Sequence, residues 1–349
     1  MDDRRRPWLE GVGLLVVLAI AAAAFLVAKH PGGSDQQSVS TPTSPSAAAS
    51  SPVPSPDVTA PPVKKAAKGS KARGGKARTT DPGIDVKADG EQCVNRSRTQ
   101  LSVTSFNIHS GFNPPRTRQM LPTLAAEMKA MKSDVFLLEE VDQNRIWSGR
   151  VNQPEYFANA LGMEYAFATN VLRPGNSRYG TAILSRYPIL ESHNYLLPRP
   201  GNTQQRGLLR VVIEPVPGRK VSLYVTHLEA TSYAARVAQA RVVAARIASD
   251  PNPVVLGGDM NSRSSSTTMA LLRQRLVDTW SAAGRGNGLT HPNARPNARI
   301  DYVFASPSLG TTLTQVVPGT VSDHRAVRSV LDLAPDVPAQ VCLPVLTDQ

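Results

Sequence analysis

Residues 101–141 read LSVTSFNIHSGFNPPRTRQMLPTLAAEMKAMKSDVFLLEEV, and their pattern gives the clearest indication of the fold class. Residues 101–108 and 134–141 are short apolar runs rich in β-forming side chains, which are typical of strands. Residues 118–132, between them, repeat apolar side chains at helical spacing. A strand, a helix and a second strand in this order predict a layered α/β domain.

The same alternation continues to the end of the chain. Further apolar runs of strand length follow between residues 181 and 333, and residues 233–249 repeat Ala, Val and Arg at helical spacing. No fixed-period repeat is visible. Low-complexity sequence ends near Cys93, so the sequence predicts one globular domain over residues 93–349.

Several predicted strands end in a polar residue where the apolar run stops. In α/β proteins such strand ends open into a common mouth, where sites form. Taken singly, each of these residues is more simply a surface or turn residue. Together they form the candidate site, which comprises Asn107, Glu140, His227, Asp259, Asn261, Asp301, Asp323 and His324.

Two of these strand ends carry carboxylates suited to a hard cation. Glu139 and Glu140 close the run DVFLLEEV, and strand geometry allows only one of them to face a given side. Asp259 and Asn261 in VVLGGDMNS are two residues apart and point to the same side, although an Asx turn is the alternative. Mg²⁺ or Mn²⁺ prefers such oxygen ligands, and no Cys and His cluster of the zinc type is present.

The last two motifs, RIDYVFAS and VSDHRAV, supply an acid and a base. Asp301 can accept a hydrogen bond from His324, fix its tautomer and raise its pKa. An imidazolium in this position would stabilise charge that develops on a phosphoryl group. A purely structural His–Asp pair is the alternative.

Seven segments in order, FNIHSG, LLEEVD, RYGTAILSRYPI, VTHLE, GGDMNS, RIDYVFAS and SDHRAV, resemble the signature of the endonuclease/exonuclease/phosphatase (DNase I-like) superfamily. The resemblance spans residues 101–333. It implies a four-layer α/β sandwich, in which two packed mixed β-sheets are flanked by helices. It also implies a metal-dependent phosphoester hydrolase, in which water attacks phosphorus in line.

The resemblance further implies a role for each motif residue. Asn107, Glu140 and Asp323 would surround the metal, Asp259 would orient or deprotonate the attacking water, and Asp301 would orient His324. Asn261 and His227 would contact the phosphate or leaving group, with His109 and Arg206 as two further phosphate contacts. Glu139 departs from the family pattern, which has Gln there, and adds a charge next to the expected ligand Glu140.

The N-terminal third has a different composition. Residues 11–28 are apolar and follow three arginines, so residues 1–29 are interpreted as a membrane anchor that leaves the domain extracytoplasmic. A cleaved signal peptide, which would give a secreted protein, is the competing interpretation. Residues 30–92, rich in Pro, Ser, Ala and Lys, predict a disordered linker.

Cysteine usage and charge add two weaker expectations. Cys93 and Cys342 bracket the predicted domain, which in an exported protein suggests a disulfide, although two free thiols are the alternative. The formal net charge is +12, most of it in the domain, and a basic domain suits an anionic substrate.

The sequence is compatible with several classes of substrate. A tethered or secreted nuclease for DNA or RNA and a phospholipase C or sphingomyelinase-like lipid phosphodiesterase both fit, as does a small phosphoester; a catalytically inactive binding module fits least. Aromatic residues make up 5% of the chain, and no interleaved aromatic and basic platform for stacking bases is apparent. No protein partner is indicated, and a monomer is expected.

Overall fold

The computed structural model describes residues 84–86, 91–95, 99–334 and 340–344, and only the backbone of 84–86, 91–95 and 340–344. The predicted membrane segment and most of the predicted linker lie outside these residues, so both stay predictions. Within the described ranges, no helix is long and apolar enough to cross a membrane.

The described part of the chain contains fifteen strands and five α-helices. The strands are β1 (Ile84–Val86), β2 (Glu91–Asn95), β3 (Gln100–Asn107), β4 (Val135–Gln143), β5 (Glu164–Arg173), β6 (Ser177–Ser185), β7 (Ile189–Leu196), β8 (Gly207–Val216), β9 (Arg219–His227), β10 (Val254–Asp259), β11 (Val277–Asp278), β12 (Asp301–Ala305), β13 (Gly310–Val317), β14 (Ala326–Asp332) and β15 (Gln340–Pro344). The helices are α1 (Leu121–Ala130), α2 (Gln153–Leu161), α3 (Tyr233–Ala248), α4 (Thr267–Leu272) and α5 (Thr279–Ala283).

Twelve of these strands form two mixed six-stranded sheets. The first sheet has the order β13-β14-β3-β4-β6-β5, and the second has the order β11-β12-β10-β9-β8-β7. A small third sheet, β1-β2-β15, is antiparallel. The two large sheets with their helices confirm the predicted α/β sandwich of the DNase I-like type.

Three apolar cores hold the layers together. Leu101, Val103 and Leu137 belong to the core between the two sheets. On the other face of the first sheet, Phe136 and Leu138 pack in a second core with residues of α1 and α2, and a third core joins the second sheet to α3 and α4. Adjacent residues of β4 therefore enter different cores, because side chains alternate across a strand. Both faces of each sheet are buried, which explains the continuous apolar runs.

Strand register brings the polar strand ends to one edge of the sandwich. In the first sheet, Asn107 of β3 is the register partner of Glu139 in the parallel strand β4. In the second sheet, Asp259 of β10 pairs with His227 of parallel β9 and with Asp301 of antiparallel β12. The candidate site is therefore built from both sheets.

Two boundaries differ from the sequence prediction. Helix α1 begins at Leu121 rather than at residue 118, and Pro122 occupies its first turn, where proline is tolerated. Strand β1 falls inside the segment that was predicted to be a disordered linker, and its backbone pairs with β2. The sequence Ile-Asp-Val alternates apolar and polar residues, which is the period of a strand.

Candidate active site

The carboxylate of Asp259 lies at the centre of the site. Its Oδ2 is 3.2 Å from Nδ2 of Asn107, 3.5 Å from Nε2 of His227 and 3.8 Å from Nε2 of His324. Its Oδ1 accepts a hydrogen bond from the backbone N–H of Asn261 at 2.9 Å. One buried carboxylate therefore brings together residues from β3, β9, β10 and the segment before β14, as the strand-end pattern predicted.

Gly258 allows this carboxylate to sit where it does. Its φ of +155° lies in a region that side-chain-bearing residues rarely adopt. A Cβ at this position would also collide with the backbone carbonyl of Thr226 on neighbouring β9. The glycine before Asp259 thus holds β10 close to β9 at the strand end.

His324 and Asp301 form a buried acid–base pair. Nδ1 of His324 is 3.0 Å from both carboxylate oxygens of Asp301, which leaves Nε2 directed towards Asp259. Burial by itself would lower the pKa of His324, but the charge and hydrogen bond of Asp301 outweigh it, and the pKa rises to about 10. His324 is therefore a cation at neutral pH.

The other titratable groups around Asp259 respond differently to burial. Desolvation, followed by the negative charge of Asp301, raises the pKa of the Asp259 carboxyl above its ordinary range. Desolvation and the nearby charges of Arg206 and His324 lower the pKa of His227, so this imidazole is neutral at neutral pH. The site pairs one imidazolium with a carboxylate of increased basicity, an arrangement suited to proton transfer.

The two adjacent glutamates of β4 have different environments. A register irregularity between Leu138 and Val141 places Glu140 at φ +55°. Oε1 of Glu140 accepts a hydrogen bond from Nδ2 of Asn107 at 3.3 Å, and its Oε2 is 2.8 Å from the guanidinium of Arg116. Glu140 thus faces the opening of the site, and its role as a metal ligand stays a prediction.

Glu139 is fully buried beneath the site. Its Oε1 accepts a hydrogen bond from Ser105 at 3.1 Å, whereas Oε2 has no hydrogen-bond partner among the described residues. Desolvation, then the charges of Asp301 and Asp259, raises the pKa of Glu139 well above its ordinary value. The glutamate that departs from the family pattern is therefore an electrostatic cost to the fold when it is ionised.

Glu139→Gln is expected to stabilise the protein in the absence of metal. Because the folded-state pKa is raised, the ionised carboxylate destabilises the fold, and the penalty grows as pH rises from the unfolded pKa through the folded one. The gain should therefore increase with pH above about 4.5 and reach on the order of 1–3 kcal/mol at alkaline pH.

Urea unfolding of both proteins in EDTA, between pH 5 and 9, measures this gain. Glu191→Gln removes a carboxylate that is 57% exposed and pairs with Arg210, and it is the matched control; its effect should stay within about 1 kcal/mol and should not grow with pH in this range. An E139Q protein no more stable than the parent at alkaline pH would contradict the prediction.

The donor set fits a divalent cation. Oε1 of Glu140 and Oδ2 of Asp259 converge on the same Nδ2 atom of Asn107, at 3.3 and 3.2 Å. Asp259, Asp301 and, in its neutral form, His324 also offer ligand atoms within 4.8 Å of one another. Converging carboxylate oxygens, with only partial charge compensation by His324, are ligands that a hard divalent cation prefers.

A second group of side chains lies on the other side of His324. Nε2 of His109 is 3.7 Å from Oδ2 of Asp323, and Oδ1 of Asp323 is buried without a hydrogen-bond partner among the described residues. The ring of His291 lies 4.5 Å from that of His324, and His291, Asp323 and His324 could also hold a cation. Sequence reasoning missed His291, which lies in a loop between predicted strands.

Two predicted phosphate contacts make other interactions in this structure. Arg206 is buried, with Nε 3.6 Å from Oε2 of Glu229. Nδ2 of Asn261 donates to the carbonyl of Leu228 at 3.0 Å. Both residues lie beside the candidate site, and their contact with phosphate stays a prediction.

Sequence reasoning also missed an arginine-rich surface beside Glu140. The guanidinium of Arg145 lies over Trp147 at 4.6 Å and over Tyr179 at 5.2 Å, and that of Arg116 lies over Trp147 at 5.3 Å. These residues come from separate segments of the chain, so no local sequence pattern predicts the cluster.

Two mixed sheets in an α/β sandwich, with a buried carboxylate and histidine cluster at one shared edge, define the DNase I-like class of protein. The model of the Endonuclease/Exonuclease/phosphatase family matches residues 104–324, which is well over half of the chain, and the chain belongs to that family. Members of the family are phosphoesterases, among them phosphatases and nucleases.

Individual relatives agree with this assignment. The uncharacterised protein YbhP of Escherichia coli strain K12 is 28% identical over 247 residues, covering 67% of this chain and 96% of YbhP. An endonuclease/exonuclease/phosphatase structure from Beutenbergia cavernae is 26% identical with a TM-score of 0.55, covering 68% of this chain and 72% of that one. The mannosyl-6-phosphatase Bt3783 of Bacteroides thetaiotaomicron shares the fold at 20% identity and a TM-score of 0.56, covering 66% and 99%.

Proposed function

We propose that this protein is a divalent-metal-dependent phosphoester hydrolase, most simply a phosphodiesterase, that acts outside the cytoplasm. The observation that carries the proposal is the arrangement around Asp259, with the Asp301-paired imidazolium of His324 on one side and Asn107 and Glu140 on the other. This arrangement supplies a base, an acid and a cation site within a few ångströms.

Asp259 is the group that accepts a proton from the attacking water. Its raised pKa makes it a better base than an exposed carboxylate, and the N–H of Asn261 holds its other oxygen in place. A Mg²⁺ or Mn²⁺ ion held by Glu140, with Asn107 and Asp323 nearby, would offset negative charge on the phosphoryl oxygens. The chain's own contribution is to orient the water in line with the bond that breaks.

His324 faces Asp259 across a gap that is too long for a direct hydrogen bond. The 3.8 Å between its Nε2 and Oδ2 of Asp259 leaves the Nε2–H of His324 without a short hydrogen bond to that carboxylate, so this N–H is available to a phosphoryl oxygen. The imidazolium would donate its Nε2 proton to that oxygen as charge develops. Neutral His227, 3.5 Å from the same carboxylate, is the adjacent hydrogen-bonding group.

Substrate turnover separates the candidate functions. The full-length chain with Mg²⁺ or Mn²⁺, assayed on DNA, RNA, sphingomyelin, phosphatidylinositol and sugar phosphates, should hydrolyse at least one class, and EDTA should abolish the activity. The substrate class that is hydrolysed distinguishes a tethered or secreted nuclease from a lipid phosphodiesterase. A chain that binds these compounds without turning any of them over would instead be an inactive binding module.

The extracytoplasmic location rests on the sequence of residues 1–29 alone. Fractionation of cells that express the full-length chain tests it, with an accessibility tag at the C-terminus. A membrane-bound, externally accessible chain supports the anchor, and a shortened chain in the medium supports the cleaved signal. A chain found inside the cytoplasm would contradict both.

Non-reducing peptide mapping of the full-length chain is expected to recover a Cys93–Cys342 disulfide. The antiparallel pairing of β2 with β15 places the backbone of Cys93 directly opposite that of Cys342. Closing so long a loop would stabilise the fold by about 5–6 kcal/mol on the chain-entropy model. Two free thiols after purification without reductant would contradict the pairing.

A further inference from the structure

A cavity of about 220 Å³ opens beside Glu140. Glu140 itself forms part of the wall, so the cavity and the candidate metal ligand share a side chain. The residues that matter here are Arg116, Arg145, Trp147, Arg173, Tyr179 and Gln204, which we call the arginine–tryptophan pocket.

Trp147 organises this pocket. Its ring stacks on Phe112 with centroids 5.2 Å apart and an interplanar angle of 7°, and the guanidinium groups of Arg145 and Arg116 lie over it. Stacking on an aromatic ring orients a guanidinium and leaves its N–H edge available for an anion. Trp147 is nevertheless 44% exposed.

Charge in the pocket is predominantly positive. Arg145 pairs with buried Asp142 at 3.0 Å, and Arg116 pairs with Glu140 at 2.8 Å. Arg173 is exposed and has no ion pair with a described residue. If Glu140 also binds a cation, its negative charge neutralises less of the positive charge of Arg116. The pocket then attracts an anion more strongly.

The lining favours an anionic group over a stacked base. The Trp147 ring is already in contact with Phe112 and with two guanidinium groups, so it does not offer a bare platform. Three arginines, a tyrosine and a glutamine provide the forked N–H and O–H donors that phosphate oxygens accept. Arginine in particular matches the geometry of phosphate.

We propose that the arginine–tryptophan pocket binds a second phosphate of the substrate, carried on the same molecule as the phosphoester that is hydrolysed. The proposal rests on the proposed function and names its substrate class, phosphoesters with at least one further phosphate. Such a group can come from the neighbouring phosphodiester of a short oligonucleotide or from a small molecule with two phosphates. Both sources share the chemistry that the pocket recognises.

A pair of matched substrates tests the proposal on the full-length chain with Mg²⁺. The p-nitrophenyl ester of thymidine 5′-phosphate carries one phosphate, and the same compound with a 3′-phosphate carries two; both release nitrophenol. The parent chain is expected to prefer the second compound by about tenfold in kcat/KM. The same comparison of kcat/KM is made for a short oligonucleotide and for a hexose bisphosphate, each with its counterpart that carries one phosphate. The compound that shows the preference identifies the source of the second phosphate.

Variants assign the preference to the pocket. Arg173→Gln should reduce the ratio of the two kcat/KM values to about one, since the guanidinium supplies one charged contact. Arg145→Gln should do the same, but Arg145 also compensates Asp142, so thermal unfolding must show that this variant is folded. Arg241→Gln, which removes an exposed arginine from α3, is the matched control and should keep the preference.

The outcomes separate the two levels of the proposal. Equal turnover of both substrates by the parent chain, or a preference that survives in R173Q and R145Q, overturns the second-phosphate pocket and leaves the hydrolase intact. Turnover of none of these compounds and of none of the substrate classes named above, in the presence of Mg²⁺ or Mn²⁺, overturns the proposed function itself. A preference lost in both pocket variants and kept in R241Q supports the pocket.

Discussion

His324→Ala is expected to lower kcat for phosphodiester hydrolysis by about 10³-fold, with little change in KM. The substitution removes the imidazolium that Asp301 orients towards Asp259. The N–H donor for the negative charge that develops on the phosphoryl oxygen is lost with it. The loss should appear in kcat because this interaction strengthens only in the transition state.

The pH dependence of kcat distinguishes loss of the Asp301–His324 pair from damage to the fold. In the parent chain, the pKa of His324 is raised to about 10, so activity that needs the imidazolium should persist above neutral pH. Asp301→Asn removes the charge that raises this pKa, and the alkaline limb should move down towards neutral pH. His193→Ala, a histidine on β7, is the control. A fully active H324A chain would remove His324 from the mechanism.

Glu140→Gln is expected to lower kcat/KM by about 10³-fold at fixed Mg²⁺. Its carboxylate converges with that of Asp259 on Asn107, so the substitution removes one of two oxygen anions at the proposed cation site. Metal binding itself should weaken, by about 10- to 100-fold, and calorimetric titration with Mn²⁺ measures this without relying on activity.

Glu191→Gln is the control for the loss of one carboxylate, since Glu191 lies exposed on β7. It should bind Mn²⁺ as the parent does. Unchanged metal affinity in E140Q would move the cation to the other groups of possible ligands, such as His291, Asp323 and His324. Adding more metal should partly restore activity in E140Q if the assignment is correct.

Much of the site was predictable because polar residues interrupt long apolar runs. Asn107, Asp259 and His227 each end a buried strand, and parallel strands bring such ends to one edge. The pairing of Asp301 with His324 followed from chemical complementarity and the order of the motifs. The family resemblance supplied the two-sheet architecture, which strand patterns alone do not distinguish from other layered α/β folds.

The remaining features depend on register and on contacts between distant segments. Alternation allowed either Glu139 or Glu140 to face the site, and the irregularity in β4 decides between them. Trp147 and Arg173 come together only because β4 to β6 fold side by side, which no short motif records. His291 was missed for the same reason, since its partners are 32 and 33 residues away in sequence.

Hydrolysis of bis(p-nitrophenyl) phosphate by the purified full-length chain is the most direct test of the central claim. We expect turnover with Mg²⁺ or Mn²⁺, no turnover in EDTA, and losses of about 10³-fold in both E140Q and H324A. Turnover that survives in EDTA or in both variants would contradict the site assignment. Absence of turnover in the folded parent chain, on this and on every substrate class named above, would contradict the proposed activity.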